Sequence, residues 1–380
     1  MAEPGRARSA LAPGATIGIL GGGQLGRMLA LAAAELGLRT HVFCPEQDSP
    51  AFDVCRRVTQ SSYDNEAALD LFARDADAIT FEFENVPSSA VAFLRARRPV
   101  LPDERALDMA QDRLKEKEFL RALGIDVAPF HRINRLADIA PALAEIGLPA
   151  VLKTRLYGYD GKGQYVLHDA GEAEAAWTAV GETASVLEAF VPFSREISII
   201  AARGQDGGFA AYDPPENQHR GQILRRSLAP APISQALADQ ARDIGRQVAE
   251  AIDYVGVLAV ELFVTEENGK SRLIANEIAP RVHNSGHWTL DACAVSQFEQ
   301  HIRAVAGWPL GPTARHSDAV MDNLIGDDID RWPQLVAAAD TRLHLYGKTQ
   351  TRAGRKMGHA TRLAPLGSFG ANRPVPETAA

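Results

Sequence analysis

The chain has 380 residues, a formal net charge of −8 and a hydrophobic content of 46%. This length predicts about two or three domains with ordinary cores. No basic stripe offsets the acidic charge and no apolar run reaches the roughly 18 residues of a membrane span, so we expect neither a nucleic-acid nor a membrane partner. Cys44, Cys55 and Cys293 form no close pair in the sequence, which indicates reduced cysteines in a cytoplasmic protein.

The first hundred residues alternate between apolar strands and helices. Residues 15–20 (ATIGIL) predict a buried strand, 21–26 (GGGQLG) a tight turn and 27–36 a helix. Further strands are expected at 40–43 and 78–82. This alternation predicts a parallel, doubly wound sheet, which binds ligands beyond the carboxyl ends of its strands.

The glycine turn at 21–26 supports two hypotheses. GxGxxG after a strand is typical of dinucleotide sites, and an NAD site would need an acid about twenty residues further on, where Glu46 lies in a polar loop. Glycines before a helix also suit any phosphate, because backbone N–H groups and the helix dipole favour an anion. We favour one phosphate or phosphosugar at this turn, with Glu82 or Glu84 binding sugar hydroxyls.

A helix, a strand lysine and a glycine-rich loop follow in the second region. One helix is predicted over 105–123, and Lys153 then ends an apolar strand. An ammonium at such a position is costly unless it meets an anion. The loop 157–164 (YGYDGKGQ) is either a plain hairpin turn or a mobile loop that closes over phosphates, although it lacks the GK[ST] ending of a Walker A sequence.

Two glutamates lie in apolar runs separated by a turn rich in Glu, Asn and Gly. Glu261 lies within VLAVELFV (257–264) and Glu277 within LIANEI (273–278), which together predict a hairpin. Carboxylates at the same depth repel unless a cation lies between them, and oxygen ligands suit Mg²⁺. The polar run RVHNSGH (281–287) follows at once. Solvated edge glutamates are the alternative, but we favour a metal beside an anion-binding cluster, and hence ATP chemistry.

The order of these features resembles the ATP-grasp superfamily. Within it, five motifs resemble the 5-(carboxyamino)imidazole ribonucleotide synthases of purine biosynthesis: GGGQLGRM (21–28), FEFENVP (81–87), GYDGKGQ (158–164), NEIAPRVHNSGHWT (276–289) and GRKMGH (354–359). The resemblance extends from Thr16 to about Arg362. It implies an α/β fold with an N-terminal doubly wound parallel-sheet domain, a central α+β ATP-grasp domain and a small C-terminal β-rich domain.

The expected boundaries follow from the same comparison of motifs. We place the N-terminal domain at 15–104, the ATP-grasp domain at 105–304 with a lid at about 126–190, and the C-terminal domain at 305–366. Residues 1–14 and 367–380 are expected to be disordered tails.

The resemblance also implies the site residues. The ATP-binding set is Arg113, Lys153, Gly158, Tyr159, Asp160, Gly161, Lys162, Gly163, Gln164, Glu188, Ala189, Phe190, Val191, Glu196, His219, Asn276 and Glu277. The Mg²⁺ ligands are Glu261 and Glu277. The set that binds aminoimidazole ribonucleotide is Gln24, Leu25, Glu82, Asn284, Lys348 and Arg355. The catalytic set, which surrounds the amine and the bicarbonate-derived carboxylate, is Tyr159, Asp160, Arg281, His283 and Lys348.

The implied function is an ATP-dependent carbon–nitrogen ligase that uses aminoimidazole ribonucleotide, bicarbonate and ATP, and the resemblance leads us to expect a homodimer. One alternative is another ATP-grasp ligase, such as a formate-dependent glycinamide ribonucleotide transformylase. Asn284 and the following SGHWT speak against it, since there the histidine is followed by Asp. The other alternative, an NAD-dependent oxidoreductase, leaves Lys153, Glu261 and Glu277 unexplained.

Overall fold

The computed structural model describes residues 10–156, 158, 163–267 and 269–369. Within these residues the strands form three sheets, one parallel and two largely or wholly antiparallel. None of the helices in this described part combines the length and apolar character that a membrane span requires.

The N-terminal sheet is parallel throughout, as the alternation of strands and helices predicts. Its strands lie in the order β3-β2-β1-β4 and are β1 (Thr16–Leu20), β2 (Arg39–Cys44), β3 (Arg57–Gln60) and β4 (Ala78–Phe81). Its helices are α1 (Gln24–Glu35), α2 (Glu66–Asp75) and α3 (Ser88–Arg95). The turn before α1 and the residues after β4 both lie at the carboxyl edge of this sheet, where ligands of parallel sheets bind.

The helix predicted over 105–123 is two helices, so that prediction is wrong. The observed helices are α4 (Glu104–Ala110) and α5 (Arg113–Ala122). Asp112 separates them because its side chain accepts a hydrogen bond from the N–H of Leu114 at 3.0 Å and caps the second helix. This break sets the direction of α5, which carries Arg113 toward the cleft described below.

The lid is a four-stranded antiparallel sheet with its own core. The strands lie in the order β5-β8-β6-β7 and are β5 (Phe130–Ile133), β6 (Ala150–Thr154), β7 (Gln164–Leu167) and β8 (Ser185–Ala189). Two helices, α6 (Ile139–Ile146) and α7 (Ala173–Ala179), cover one face and bury Leu143, Leu152 and Trp177 in one cluster.

The largest sheet has nine strands in the order β14-β13-β9-β11-β12-β15-β17-β16, with β10 paired to β9. The strands are β9 (Arg195–Arg203), β10 (Phe209–Ala211), β11 (Glu216–Arg220), β12 (Ile223–Ala229), β13 (Gly256–Glu267), β14 (Lys270–Ala279), β15 (Ser317–Ile325), β16 (Thr341–Leu345) and β17 (Lys356–Pro365). The associated helices are α8 (Gln235–Ala251), α9 (Thr289–Ala292), α10 (Gln297–Ala306) and α11 (Trp332–Ala337). The C-terminal strands therefore extend the central sheet, since β15 pairs with β12.

Helix α8 shows why the central sheet has one apolar face. Leu237, Ala241, Ile244 and Val248 recur at helical spacing and are buried against the sheet. Alternate residues of β13, among them Val260 and Leu262, belong to this cluster, so the intervening Glu261 points to the other face.

Parts of both predicted tails pack against the body. The N–H of Leu11 donates to the carbonyl of Ala306 at 2.8 Å, and the indole of Trp308 donates to the carbonyl of Leu11 at 2.7 Å. At the other end, Phe369 is 9% exposed and its N–H donates to the carboxylate of Asp318 at 2.7 Å. The prediction of disorder is therefore wrong for residues 10–14 and 367–369.

Candidate active site

Glu261 and Glu277 face each other across the β13–β14 hairpin. The two residues are paired in the antiparallel register, and a bulge follows Glu261. This confirms the predicted hairpin and the equal depth of the two carboxylates. Both side chains line a cleft of about 690 Å³ between the lid, the central sheet and the N-terminal domain.

The electrostatics of this pair fit a divalent cation. Burial and then the charge of Glu277 raise the pKa of Glu261 to about 7. Arg113 Nη1 lies 3.1 Å from Glu277 Oε2, and His283 Nε2 lies 3.3 Å from Glu261 Oε1. Two facing carboxylates, of which Glu261 is disfavoured in its ionised form by its neighbour, are a donor set suited to Mg²⁺, whose oxygen-rich coordination leaves positions for phosphates. The residues present therefore fit the metal that the sequence suggests.

Lys153, the penultimate residue of β6, contacts an anion, as its position in an apolar strand predicts. Its Nζ lies 3.1 Å from Glu188 Oε2, and Lys117 Nζ lies 3.1 Å from the same oxygen. Burial would raise the pKa of Glu188, but the ammonium groups of Lys117 and Lys153 outweigh it and lower that pKa to about 2. Burial lowers the pKa of Lys153, and Glu188 opposes this. The three groups form a compact charge cluster beside the cleft.

Lys117 and Glu116 are missing from the residues predicted by sequence. Lys117 is 1% exposed and donates to the carbonyl of Asn276 at 3.2 Å. Glu116 is 2% exposed, accepts from the N–H of Ile278 at 2.6 Å and has a pKa raised to about 8, first by burial and then by Glu277. The available signal was the spacing of Arg113 and Lys117, which are four residues apart and hence on one face of α5.

Arg281 is held by Glu84, which follows β4 in the N-terminal domain. Its Nη2 donates to Glu84 Oε1 at 3.0 Å, and its Nε donates to Glu84 Oε2. Burial would raise the pKa of Glu84, but the guanidinium lowers it to about 2. Arg281 Nη1 donates to the carbonyl of Val282 at 3.2 Å. The two-donor edge of the guanidinium is therefore occupied by a protein carboxylate.

Glu82 fills the anion site of the glycine turn. Its carboxylate accepts from the N–H groups of Gly23 and of Gly26, the latter at 2.5 Å. Gly21 has φ of 101°, which favours glycine at that position, and a Cβ at Gly23 would lie 2.7 Å from Glu82 Oε1, so a larger residue at 23 would displace this carboxylate. Burial raises the pKa of Glu82 and these two N–H groups oppose it. A dinucleotide pyrophosphate would have to displace this carboxylate, which removes the physical basis of the NAD alternative.

Two further features line the cleft. His219 Nδ1 lies 3.0 Å from Glu196 Oε2. Burial would lower the pKa of His219, but the adjacent carboxylate raises it. Phe193 and Phe263 stack with ring centroids 4.6 Å apart and an interplanar angle of 9°. This aromatic pair was not predicted, because each phenylalanine is only one apolar residue in a strand-like run.

The cleft brings together most of the predicted site residues. Those lining it are Gln24, Leu25, Glu82, Arg113, Lys153, Gly158, Gln164, Glu188, Ala189, Phe190, Val191, Glu196, His219, Glu261, Asn276, Glu277, Arg281, His283 and Asn284. Asn284 faces Asn323 through two reciprocal amide hydrogen bonds of 2.9 Å. Lys356, which was not predicted, also lines the cleft.

The remaining predicted residues fall into two groups. Gly163 has φ of 71° beside the loop, Lys348 Nζ donates to the carbonyl of Lys356 at 2.5 Å, and Arg355 Nη1 donates to the carbonyl of Gln350 at 2.8 Å. Lys348 is close enough to Glu82 to lower its pKa, whereas Arg355 is half-buried and is not among the residues that line the cleft. The loop residues outside the described part of the chain are Tyr159, Asp160, Gly161 and Lys162.

Three family models match successive parts of the chain. The ribonucleotide synthetase preATP-grasp domain matches residues 14–111, the ATP-grasp domain matches 118–298, and the phosphoribosylaminoimidazole carboxylase C-terminal domain matches 319–366. The three-part fold implied by the sequence motifs is confirmed by these matches and by the similar structures below.

The chain is also similar along nearly its whole length to individual proteins. N5-carboxyaminoimidazole ribonucleotide synthase of Brucella melitensis is 50% identical over 360 residues, covering 94% of this chain and 99% of that protein. The structure of N5-carboxyaminoimidazole synthetase from Staphylococcus aureus complexed with ADP has a TM-score of 0.89 and 36% identity, covering 94% of this chain and 95% of that one. That of N5-carboxyaminoimidazole synthase from Aspergillus clavatus, in complex with ADP and 5-aminoimidazole ribonucleotide, has a TM-score of 0.86 and 29% identity, covering 93% and 94%. The chain belongs to the N5-carboxyaminoimidazole ribonucleotide synthase family of ATP-grasp enzymes.

Proposed function

We propose that this chain carboxylates the exocyclic amine of 5-aminoimidazole ribonucleotide, consuming ATP and bicarbonate and releasing N5-carboxyaminoimidazole ribonucleotide, ADP and phosphate. The observation that carries the proposal is the facing pair Glu261 and Glu277, with Lys153 and Arg281 on the same cleft. The chain is thus an ATP-dependent carbon–nitrogen ligase of purine biosynthesis. Family members bound to ADP, and to ADP with the ribonucleotide, support the same assignment.

The nucleotide base lies between the lid and the central sheet in this proposal. Val151 and Val166 of the lid and Leu224 and Phe263 of the central sheet supply apolar walls on the two sides of the cleft. The chain leaving β8, residues 189–191, supplies backbone groups for the edge of the adenine. Such a site combines apolar burial of a flat ring with a few fixed polar groups.

The triphosphate lies toward the charged end of the cleft. Lys153 is held by Glu188 so that its ammonium stays on the cleft wall, and Arg113 is held by Glu277. Glu261 and Glu277 would hold Mg²⁺, which when bound neutralises the charge that spreads over the transferring phosphoryl group. Loop 157–164 then excludes water, because an activated carboxyl group hydrolyses readily.

The ribonucleotide occupies the other end, beside the N-terminal sheet. Glu82 already satisfies the N–H groups of Gly23 and Gly26, so the neighbouring N–H groups of Gln24 and Leu25 remain for the substrate phosphate. Lys348 and Arg355 add positive charge from the segment between β16 and β17. Glu82 faces the ribose hydroxyls.

The reaction then proceeds in two transfers. A bicarbonate oxygen attacks the γ-phosphorus, the bond to the bridging oxygen breaks and ADP leaves, which yields carboxyphosphate. The exocyclic amine attacks the carboxyl carbon, phosphate leaves and the amine loses a proton. Arg281 and His283 lie beside Glu261 and Glu277, where they stabilise the negative carboxyl oxygens. Asp160 takes the amine proton in this scheme.

The test is ribonucleotide-dependent formation of ADP with the product trapped before it decarboxylates. We expect ADP, phosphate and carboxylated product in equal amounts, with a rate that depends on bicarbonate. Formation of product without any bicarbonate dependence would remove the carboxylation proposal. A thermal-shift comparison should show stabilisation by ATP with Mg²⁺ and none by NAD.

A homodimer in the cytoplasm is the proposed state of the enzyme. The support is the resemblance to the family alone. Light scattering coupled to size exclusion tests it directly, since the chain has a mass of 40.9 kDa and a dimer has twice that mass. A mass that stays at the monomer value across a range of protein concentrations would reject the dimer.

A further inference from the structure

A row of buried polar side chains crosses the central sheet behind the cleft. Ser198 is paired with Glu261 in the β9–β13 register, and Asn217 is paired with Ser227 in the β11–β12 register. Ser198, Asn217 and Ser227 are each at most 4% exposed. Burying a polar side chain costs free energy unless it is hydrogen-bonded, so a row of them inside one sheet requires a compensating network.

The row is linked into one continuous chain of hydrogen bonds. Ser227 Oγ lies 2.9 Å from Asn217 Oδ1, and Asn217 Nδ2 lies 3.0 Å from Ser198 Oγ. Ser198 Oγ lies 2.7 Å from Ser285 Oγ, which lies 2.8 Å from His283 Nδ1. We name Ser227, Asn217, Ser198 and Ser285 the serine relay. It runs from the interior of the sheet to the imidazole on the cleft wall.

A backbone group sets the direction of the serine relay. The N–H of Ser285 also points at His283 Nδ1, at 3.4 Å. A backbone N–H can only donate, so Nδ1 is an acceptor and the neutral ring carries its proton on Nε2. A ring whose Nδ1 accepts a hydrogen bond cannot also carry a proton on that atom, so the imidazole in this arrangement is the neutral form.

Every member of the relay then has a consistent role. The hydroxyl of Ser285 donates to His283 Nδ1, and the hydroxyl of Ser198 donates to Ser285 Oγ. The amide of Asn217 donates to Ser198 and accepts from Ser227. Successive hydrogen bonds in such a chain polarise and so strengthen one another. The chain is most stabilising when every polar group in it has a hydrogen-bond partner. The opposite tautomer would put a ring N–H against the backbone N–H of Ser285.

We propose that the serine relay holds His283 in the Nε2–H tautomer and aims that N–H at the carboxyl group being activated. His283 Nε2 lies 3.3 Å from Glu261 Oε1, on the side of the ring that faces the proposed metal ligands. Once Glu261 coordinates a cation, this N–H is directed at a bicarbonate-derived oxygen. The inference rests on the proposed function and deepens it. Ser285 and Ser198 are positioning residues, since they act through His283.

The direct test is the tautomer of His283, read from ¹⁵N NMR of histidine-labelled full-length protein. The chain has ten histidines, and His283→Gln identifies the relevant signals by their loss. We expect the wild-type signals to report a protonated Nε2 and an unprotonated Nδ1. Ser285→Ala removes the 2.8 Å hydroxyl contact and leaves only the long 3.4 Å contact of the backbone N–H, so we expect a mixture of tautomers. If Ser285→Ala does not fold, Ser198→Ala, which interrupts the relay one step further on, replaces it.

The second readout is turnover at varied bicarbonate. Loss of a hydrogen bond that orients a functional group should lower kcat about 10- to 100-fold in Ser285→Ala. The matched control is Thr361→Val, because Thr361 is buried in the same sheet and its Oγ1 has no partner among the described residues. His283→Gln, whose amide can place an N–H near the position of Nε2, should retain more turnover than His283→Asn.

The two readouts separate this inference from the proposed function. An Nδ1–H tautomer in the wild type overturns the relay, and so does Ser285→Ala that keeps the wild-type tautomer, whatever its turnover. A mixed tautomer with unchanged turnover also overturns it, because the orientation would then be without effect. If the wild-type enzyme forms no bicarbonate-dependent product, the proposed function fails, while the tautomer measurement still decides whether the relay operates.

Discussion

Arg281 and Glu84 form a two-point ion pair that joins the ATP-grasp domain to the N-terminal domain. Both side chains line the cleft between those domains. A rigid guanidinium with two donors on one edge matches a carboxylate far better than an ammonium does. Because Glu84 holds Nε and Nη2, the pair fixes the orientation of the third nitrogen, Nη1, relative to the ribonucleotide end of the cleft.

The Arg281–Glu84 pair predicts that lysine cannot replace Arg281. Arg281→Lys keeps the charge but loses the planar fork, so we expect kcat/KM for the ribonucleotide to fall on the order of a hundredfold or more. ATP affinity should stay near its wild-type value. The control is Arg272→Lys, at an exposed arginine that pairs with Asp126 and Glu267 on the surface. Near-full carboxylation by Arg281→Lys would show that the two-point geometry does not matter.

The facing glutamates predict an unusual pair of effects for Glu261→Gln. Turnover and the thermal shift caused by Mg²⁺ with ATP should both be lost, because an amide binds Mg²⁺ poorly. Without metal, the melting temperature at pH 8 should be unchanged or higher, because the variant no longer buries a charge beside Glu277. Glu266→Gln, at an exposed position on the same hairpin, is the control. Normal turnover of Glu261→Gln at low Mg²⁺ would rule out this residue as a ligand.

The contact of Lys117 with Glu188 predicts that Lys117 helps to position Lys153 for ATP binding. Lys117→Met leaves Glu188 with Lys153 alone, so the carboxylate should hold Lys153 less well. We expect the KM for ATP to rise about tenfold and the free energy of unfolding to fall by about 1–3 kcal/mol. Lys115→Met, at an exposed position of the same helix, should change neither. Urea titration and initial-rate kinetics measure both quantities; an unchanged KM would limit Lys117 to a structural role.

The raised pKa of Glu116 predicts that the free energy of unfolding depends on pH. Its pKa in the folded protein is raised from 4.5 to about 8, so between these values the folded state holds a proton that the unfolded state lacks. This contribution to stability is present below about pH 4.5 and is lost as the pH rises toward 8. Glu116→Gln keeps an acceptor for the N–H of Ile278 without the proton, so its urea midpoint should fall less between pH 5 and pH 8.

The control for this measurement is Glu118→Gln, at an exposed glutamate on the same helix. It should follow the wild-type pH dependence. Equal pH dependence in the wild type and in Glu116→Gln would contradict the raised pKa.

The sequence by itself determined the elements and several of their functional side chains. The β13–β14 hairpin follows from two apolar runs around a Gly-containing turn, and this local pattern already puts Glu261 opposite Glu277. The parallel N-terminal sheet follows from alternating strands and helices. Periodicity and turn chemistry act over a few residues, so they can be read without knowing what the segments contact. The cap at Asp112 was readable in the same way, although the prediction of one long helix missed it.

Only the tertiary structure decided which distant groups meet. Glu84 and Arg281 are separated by 197 positions, and Lys117 and Asn276 by 159. Ser198, Asn217 and Ser227 are ordinary polar residues in their strands until the order β13-β9-β11-β12 lines them up beside Glu261. Burial then changes their chemistry, since a charge or hydroxyl removed from water must find its partner inside the protein. The composition of the chain does not determine which of these groups pair. The strand order and register of the sheet do.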